Sequence, residues 1–139
     1  MAAGAFTFYD NSKLQIANSS YDLDSDTLIA VLATSGYTPA LTQTNLTDIT
    51  NECADADYVR QTITGQSITA TGSTINIDIA NITYGSSVTI TAKWLILFNQ
   101  TVSNNLVAYV DLDTGGGSVS SSNSTFSVDI ASAGMATLT

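Results

Sequence analysis

The chain has 139 residues and a net charge of −9, from three basic and twelve acidic residues, with no histidine. A surface this acidic repels phosphate backbones and anionic lipids, which argues against nucleic-acid and membrane partners. Since histidine is the commonest general base, its absence argues against an enzyme, and no cofactor is predicted.

Residues 1–139 are predicted to form one domain. Apolar residues make up 44% of the chain, which is typical of a folded protein. Cys53 is the only cysteine, so an intrachain disulfide is impossible. The opening segment "MAAGAFTFYD" lacks the basic region and apolar core of a signal peptide, and we expect the protein to be made in a cytoplasm.

Strand patterns recur along the chain, separated by turn-forming residues. Most show apolar residues at alternate positions, whereas "TLIAVLAT" is apolar on both faces; the runs are 13–17, 27–34, 75–79, 106–112 and 126–130. The alternation slips in phase near Ala80–Asn81, which predicts a bulge or bend there. Short strands at this spacing predict a mainly β fold, an antiparallel β-sandwich of jelly-roll-like type.

One stretch departs from the strand patterns. In "TNLTDITNECADA", Leu46, Ile49 and Cys53 have helical spacing, and Asn45 or Thr47 could cap the first turn. The sequence therefore predicts a single short α-helix at residues 45–53.

The strand near residues 88–98 changes character along its length. It begins with one apolar face and continues as Trp94–Phe98, which is apolar on both faces. One sandwich sheet can cover only one of them. We expect the face with Leu95 and Leu97 to be covered partly by a neighbouring subunit; alternatively, the helix and the N-terminal segment cover it with Phe6 and Phe8. The interface candidates are Trp94, Leu95, Leu97 and Tyr109.

Asp22, Asp24 and Asp26 alternate in "DLDSD", like the start of a calcium loop. A full loop also needs a glycine and a distal glutamate in register, and neither follows. We interpret the segment as a solvated acidic turn, with these three residues as weak metal candidates, and predict no required metal.

Several short motifs occur in a distinctive order. They are "FYDNSK", "YDLDSDTLIAVLATSGYTP", "TAKWLILFN", "LVAYVDLD" and "TFSVDIASAGMATLT". Together they resemble a family of small virion proteins of tailed bacteriophages, over residues 6–139. The resemblance implies a virion structural protein, with capsid decoration, also called cement, as its expected role.

The functional expectation is therefore a capsid decoration protein located on the phage head. Its expected partners are the major capsid protein and further copies of itself, as a trimer or dimer. Two alternatives remain open: a tail or head-fibre component, and a module that recognises carbohydrate or a host surface. The second alternative would use exposed tyrosine rings, and the six tyrosines are Tyr9, Tyr21, Tyr37, Tyr58, Tyr84 and Tyr109.

Overall fold

The computed structural model describes residues 5–139. Strands hold 41% of the residues and helices 8%, which confirms the predicted mainly β, antiparallel, sandwich-like fold. The described chain begins with β1 (Thr7–Phe8), α1 (Asp10–Ala17) and β2 (Leu28–Ala33). The remaining strands are β3 (Gln61–Thr62), β4 (Ser67–Thr71), β5 (Thr74–Asp78), β6 (Ile82–Val88), β7 (Thr91–Ala92), β8 (Trp94–Asn99), β9 (Asn105–Asp111), β10 (Val119–Ser120), β11 (Ser124–Val128) and β12 (Ala136–Leu138).

The central sheet has the strand order β1-β9-β8-β2-β3, and all of its pairings are antiparallel. Val31 of β2 lies opposite Ile96 of β8, and Ile96 lies opposite Tyr109 of β9. Every residue of β2 is buried, as expected for a strand whose two faces are both apolar. The predicted central strands are therefore confirmed.

The main core lies on one face of this sheet. Leu95 and Leu97 belong to it, and β5, β6 and β11 contribute from the opposite side, with Ile77, Ile82, Tyr84, Val88, Phe126 and Val128. The predicted phase slip is confirmed as a break between two strands, since β5 ends at Asp78 and β6 begins at Ile82. Both strands still reach the same core because Ile77 of β5 and Ile82 of β6 are each buried there.

A second, smaller core covers the other face of the central sheet. Ile96 and Phe98 are almost fully buried, and Tyr9 and Tyr37 pack against them. Leu46 and Ile49 are partly buried and pack against the edge of this cluster. The face that was expected to need a neighbouring subunit is the one with Leu95 and Leu97, and the main core of the chain itself covers it, so that prediction is wrong. Phe6 and Phe8, named in the alternative, do pack on the same core as Leu95 and Leu97, although the helix named with them does not form.

The predicted helix at residues 45–53 is also wrong. Only Leu46–Asp48 is helical, as one 3-10 turn that Asn45 caps, and the chain then runs extended beside β2. The backbone N–H of Thr34 donates to the carbonyl of Asn51, and that of Cys53 donates to the carbonyl of Leu32. This segment supplies hydrogen-bond partners that the two-residue β3 is too short to give to β2.

The α-helix lies instead at Asp10–Ala17, where the alternation in "KLQIA" predicted a strand. Its inward residues are Ser12 and Ile16, following Tyr9 at the N-cap. Leu14 is 60% exposed. Leu14 and Ile16 of α1 therefore point in different directions, and the most deeply buried residue of the helix is the polar Ser12.

A smaller sheet stands at the margin of the sandwich, with the order β12-β5-β4. β4 and β5 form a hairpin whose two-residue turn is Gly72-Ser73, closed by Thr71 opposite Thr74. Gly72 has a φ of 63°, which is the left-handed conformation that tight hairpin turns need and glycine adopts without strain.

Candidate interaction surface

The four interface candidates separate into two pairs. Leu95 and Leu97 are 0% exposed and lie in the main core, so they are wrong as interface residues. Trp94 and Tyr109 are half-buried at the margin of the second core and keep part of their rings accessible. In a strand that is apolar on both faces, alternation does not say which residues reach the surface.

Trp94 and Tyr109 form an aromatic pair. Their ring centroids are 6.0 Å apart at 73°, an edge-to-face arrangement. Tyr109 also contacts the buried ring of Tyr9 at 5.2 Å. These contacts fix the orientation of both rings, while the indole N–H of Trp94 is buried without a hydrogen-bond acceptor.

Lys93, beside this pair, organises the glycine-rich turn that follows β9. Its Nζ donates to both carboxylate oxygens of Asp111, at 3.0 and 3.1 Å. It also donates to the carbonyls of Asp113 and Gly117, at 3.1 and 3.2 Å. The same ammonium lies 5.2 Å from the Trp94 ring centroid, so one cation joins the aromatic pair to the turn.

Two further carboxylates bind the backbone that leads into Lys93. Asp55 accepts a hydrogen bond from the backbone N–H of Thr91, and Asp57 accepts one from that of Thr89. These N–H groups sit just ahead of β8. We call this region the Trp94 end; it consists of Asp55, Asp57, Lys93, Trp94, Tyr109, Asp111 and Asp113.

Asp22, Asp24 and Asp26 lie at the opposite end of β8, which we call the Asn99 end. Asp26 accepts from the side-chain amide of Asn99 at 2.6 Å and from the backbone N–H of Asp22 at 2.9 Å. Asp24 shares a hydrogen bond with Asp22, which lowers the pKa of Asp22 and raises that of Asp24.

Asp26 is therefore bound to protein groups, while Asp22 and Asp24 interact with each other. Across residues 5–139, His, Cys, Asp and Glu side chains do not assemble in threes with the geometry of a metal site. The described structure does not bring the three aspartates together as cation ligands.

All three basic residues are paired inside the chain. Lys13 pairs with Asp10, Arg60 with Glu52, and Lys93 with Asp111. Three acids of the twelve neutralise these three bases, which leaves the net charge of −9 on carboxylates. No basic side chain remains to attract an acidic partner.

Cys53 is held in a protected site. Its thiol donates to the carbonyl of Thr91 at 3.2 Å and is buried. Burial, together with the negative charges of Asp55 and Glu52, raises its pKa to about 12. The folded protein therefore holds Cys53 as a thiol at neutral pH, and a thiol is a poor nucleophile.

A hydrogen-bonded group centred on Tyr58 was not predicted. Its hydroxyl accepts from the backbone N–H of Leu32 at 3.1 Å and donates to Glu52 at 2.8 Å. Arg60 holds the same carboxylate with two hydrogen bonds. Only the order Glu52, Tyr58, Arg60 within nine residues could have suggested such a group.

Most tyrosine rings are unavailable for binding a ligand. Tyr9, Tyr21, Tyr37 and Tyr84 are buried, and only Tyr58 and Tyr109 keep partial exposure. The tyrosine-lined surface expected of a carbohydrate-binding module is therefore largely absent from the described structure.

No family model matches the chain, and neither does a curated protein or a solved structure. Among the described residues, no helix has the length and apolar character needed to cross a membrane.

Proposed function

We propose that this protein decorates the capsid of a tailed bacteriophage, binding the major capsid protein on the outer surface of the head. Two lines of support come together. The first is the ordered set of short motifs that resembles small phage virion proteins. The second, which carries the proposal, is the internal pairing of all three bases, because the remaining carboxylates favour a basic partner surface.

The mechanism follows from linkage. A protein that binds the assembled shell but not the separated subunits stabilises the shell by mass action, by about 2.7 kcal/mol per site at a hundredfold excess over Kd. It needs no chemistry of its own, only a rigid surface of the right charge. The two cores on either side of the central sheet supply that rigidity.

We assign the Trp94 end as the surface that contacts the capsid. It combines two half-buried aromatic rings with four carboxylates, those of Asp55, Asp57, Asp111 and Asp113. Aromatic residues are enriched at interfaces, and carboxylates around them would select a basic partner. The Asn99 end has comparable charge, but none of the interface candidates lies there.

The test is binding of purified protein to undecorated phage heads, with copies per particle counted by cryo-EM. The double variant Asp55→Asn/Asp57→Asn keeps an oxygen to accept each backbone hydrogen bond and removes two charges. We expect it to bind heads at least tenfold more weakly than the parent. The matched control Asp22→Asn/Asp24→Asn makes the same charge change at the Asn99 end and should bind normally.

Two results would overturn the proposal. Equal binding by both double variants and the parent would remove the Trp94 end as the contact surface. Failure of the parent to bind heads, or binding in a few copies at the tail, would replace decoration with the tail or head-fibre alternative.

A further inference from the structure

β4 is a strand whose side chains lie on the surface of the described structure. All five of its residues are exposed, whereas β11, which is equally long, buries Phe126 and Val128. Within residues 5–139, β4 pairs only with β5 and forms the edge of its sheet. Its outer edge is therefore free to pair with another strand.

The sheet that β4 belongs to has an apolar face that extends beyond the core. Ile68 lies opposite Ile77, which lies opposite Ala136, and the next row is Ala70, Ile75 and Leu138. Directly opposed residues share a face, so these six side chains lie together. Ile77 is buried, but Ile68 and Leu138 are 43% and 44% exposed.

The charge pattern indicates what kind of partner fits this edge. Residues 61–77 carry no charged side chain, in a chain of net charge −9. Charged residues at a free strand edge commonly prevent pairing with another chain. Asp55 and Asp57 occupy the N–H groups near β7 in this way. A basic partner would gain no ion pair at β4, whereas a second copy would meet no like charge along the strand.

The hairpin fixes which backbone groups point outward. A two-residue turn closes on a pair of residues that exchange both hydrogen bonds, and here that pair is Thr71 and Thr74. Bonding then alternates along β4, so Thr69 and Ser67 also face β5. The N–H and C=O groups of Ile68 and Ala70 consequently point to the free edge.

We propose that β4 pairs antiparallel with β4 of a second copy about a two-fold axis through Thr69. Ile68 then lies opposite the second copy's Ala70, and each such pair exchanges two hydrogen bonds. A two-fold axis normal to the sheet keeps the faces aligned, so the two apolar faces join across a six-stranded sheet. This inference goes beyond the proposed function, because it requires no capsid.

The two-fold axis gives a direct chemical test on the purified protein. Thr69 would face its own copy as a non-hydrogen-bonded pair, with Cα atoms about 4.5 Å apart, which is within the range for a disulfide. In a Cys53→Ser background, Thr69→Cys should therefore form a cross-linked dimer under mild oxidation. Thr71→Cys is the matched control: it is equally exposed, but its two copies would lie roughly 14 Å apart along the strand at 3.4 Å per residue.

A second measurement uses sedimentation equilibrium without any introduced cysteine. Ala70→Pro removes an outward N–H and should weaken dimerisation at least tenfold, as should Ile68→Lys. Val59→Lys, at a side chain that is 64% exposed, makes the same charge change elsewhere and should leave dimerisation unchanged.

The inference is overturned if the parent stays monomeric at millimolar concentration, if it forms trimers, or if Thr71→Cys cross-links as readily as Thr69→Cys. A dimer that survives both Ala70→Pro and Ile68→Lys would place the interface elsewhere. None of these results depends on binding to heads, so failure here and failure of capsid decoration are distinguishable.

Discussion

The hydroxyl of Tyr58 completes the hydrogen bonding of β2 beyond the end of β3. Replacing Tyr58 by Phe leaves the buried N–H of Leu32 without an acceptor. We expect Tyr58→Phe to lower the free energy of unfolding by about 1–3 kcal/mol, the usual cost of a buried unsatisfied donor. Urea unfolding monitored by fluorescence measures the change.

Tyr84 provides the matched control for this substitution. Its ring stacks with that of Tyr58 at 5.9 Å, but its hydroxyl is buried without a partner. Tyr84→Phe should therefore leave stability unchanged or raise it. Equal losses from the two variants would mean that the hydroxyl of Tyr58 contributes no specific hydrogen bond.

Glu52 makes stability depend on pH. The Arg60 guanidinium, helped by the Tyr58 hydroxyl, lowers the pKa of Glu52 below its ordinary value of 4.5. A carboxyl with a lowered folded-state pKa stabilises the fold fully above its unfolded pKa. That contribution is lost as pH falls below about 4.5 through the folded value.

Glu52→Gln should consequently be less stable than the parent at pH 7, and the difference should shrink as the pH falls below 4.5. The measurement is the free energy of unfolding of both proteins across pH 3–7. A difference that stays constant over this range would show that the ion pair with Arg60 does not shift the titration of Glu52.

At the scale of elements, β8 supports both cores at once. Leu97 is fully buried in the main core, so Leu97→Ala should lower the free energy of unfolding by about 2–5 kcal/mol. Leu138, at 44% exposure, is the control, and Leu138→Ala should change stability by less than about 0.5 kcal/mol. Similar effects at both sites would contradict the placement of Leu97.

The central strands were predictable because burial on two faces leaves an uninterrupted apolar run, as in β2. The helices were not, for opposite reasons. α1 turns Ser12 inward and Leu14 outward, so its burial and its hydropathy disagree. Residues 45–53 show helical spacing, yet Leu46 and Ile49 serve the second core while Cys53 serves the main core. A single helical face could not reach both.

The candidate surface was half predictable for a related reason. Trp94 was identified because it begins the run that is apolar on both faces, and Tyr109 because it lies on the minor face of the strand at 106–112. Asp55 and Asp57 were not assigned there, since they come from a loop that only the tertiary fold brings beside β8. Nothing in local spacing reports such a contact.

At the scale of the whole molecule, salt should act in opposite directions on the two proposed interactions. Binding to heads opposes acidic and basic surfaces, so NaCl should weaken it, as the Debye length falls to about 3 Å at 1 M. Self-association at β4 brings together two chains of charge −9, so NaCl should strengthen it. Head binding and sedimentation, each measured from 0.05 to 1 M NaCl, test both directions.

Head binding that tightens with salt would indicate a mainly apolar contact and would contradict the acidic surface as its basis. A dimer that dissociates in salt would place charged groups at its interface and contradict pairing through β4.

The protected thiol of Cys53 has a kinetic consequence. Because the chain holds one cysteine, a maleimide reagent can label each molecule only once. In the folded state the thiol is buried with a pKa of about 12, against 9.0 ordinarily, so labelling near pH 8 has to wait for an opening of the structure. The labelling rate thus reports how often the contact between the Cys53 thiol and the Thr91 carbonyl opens. Comparing the Cys53 labelling rate of free protein with that of protein bound to a capsid would measure how far binding slows this local opening.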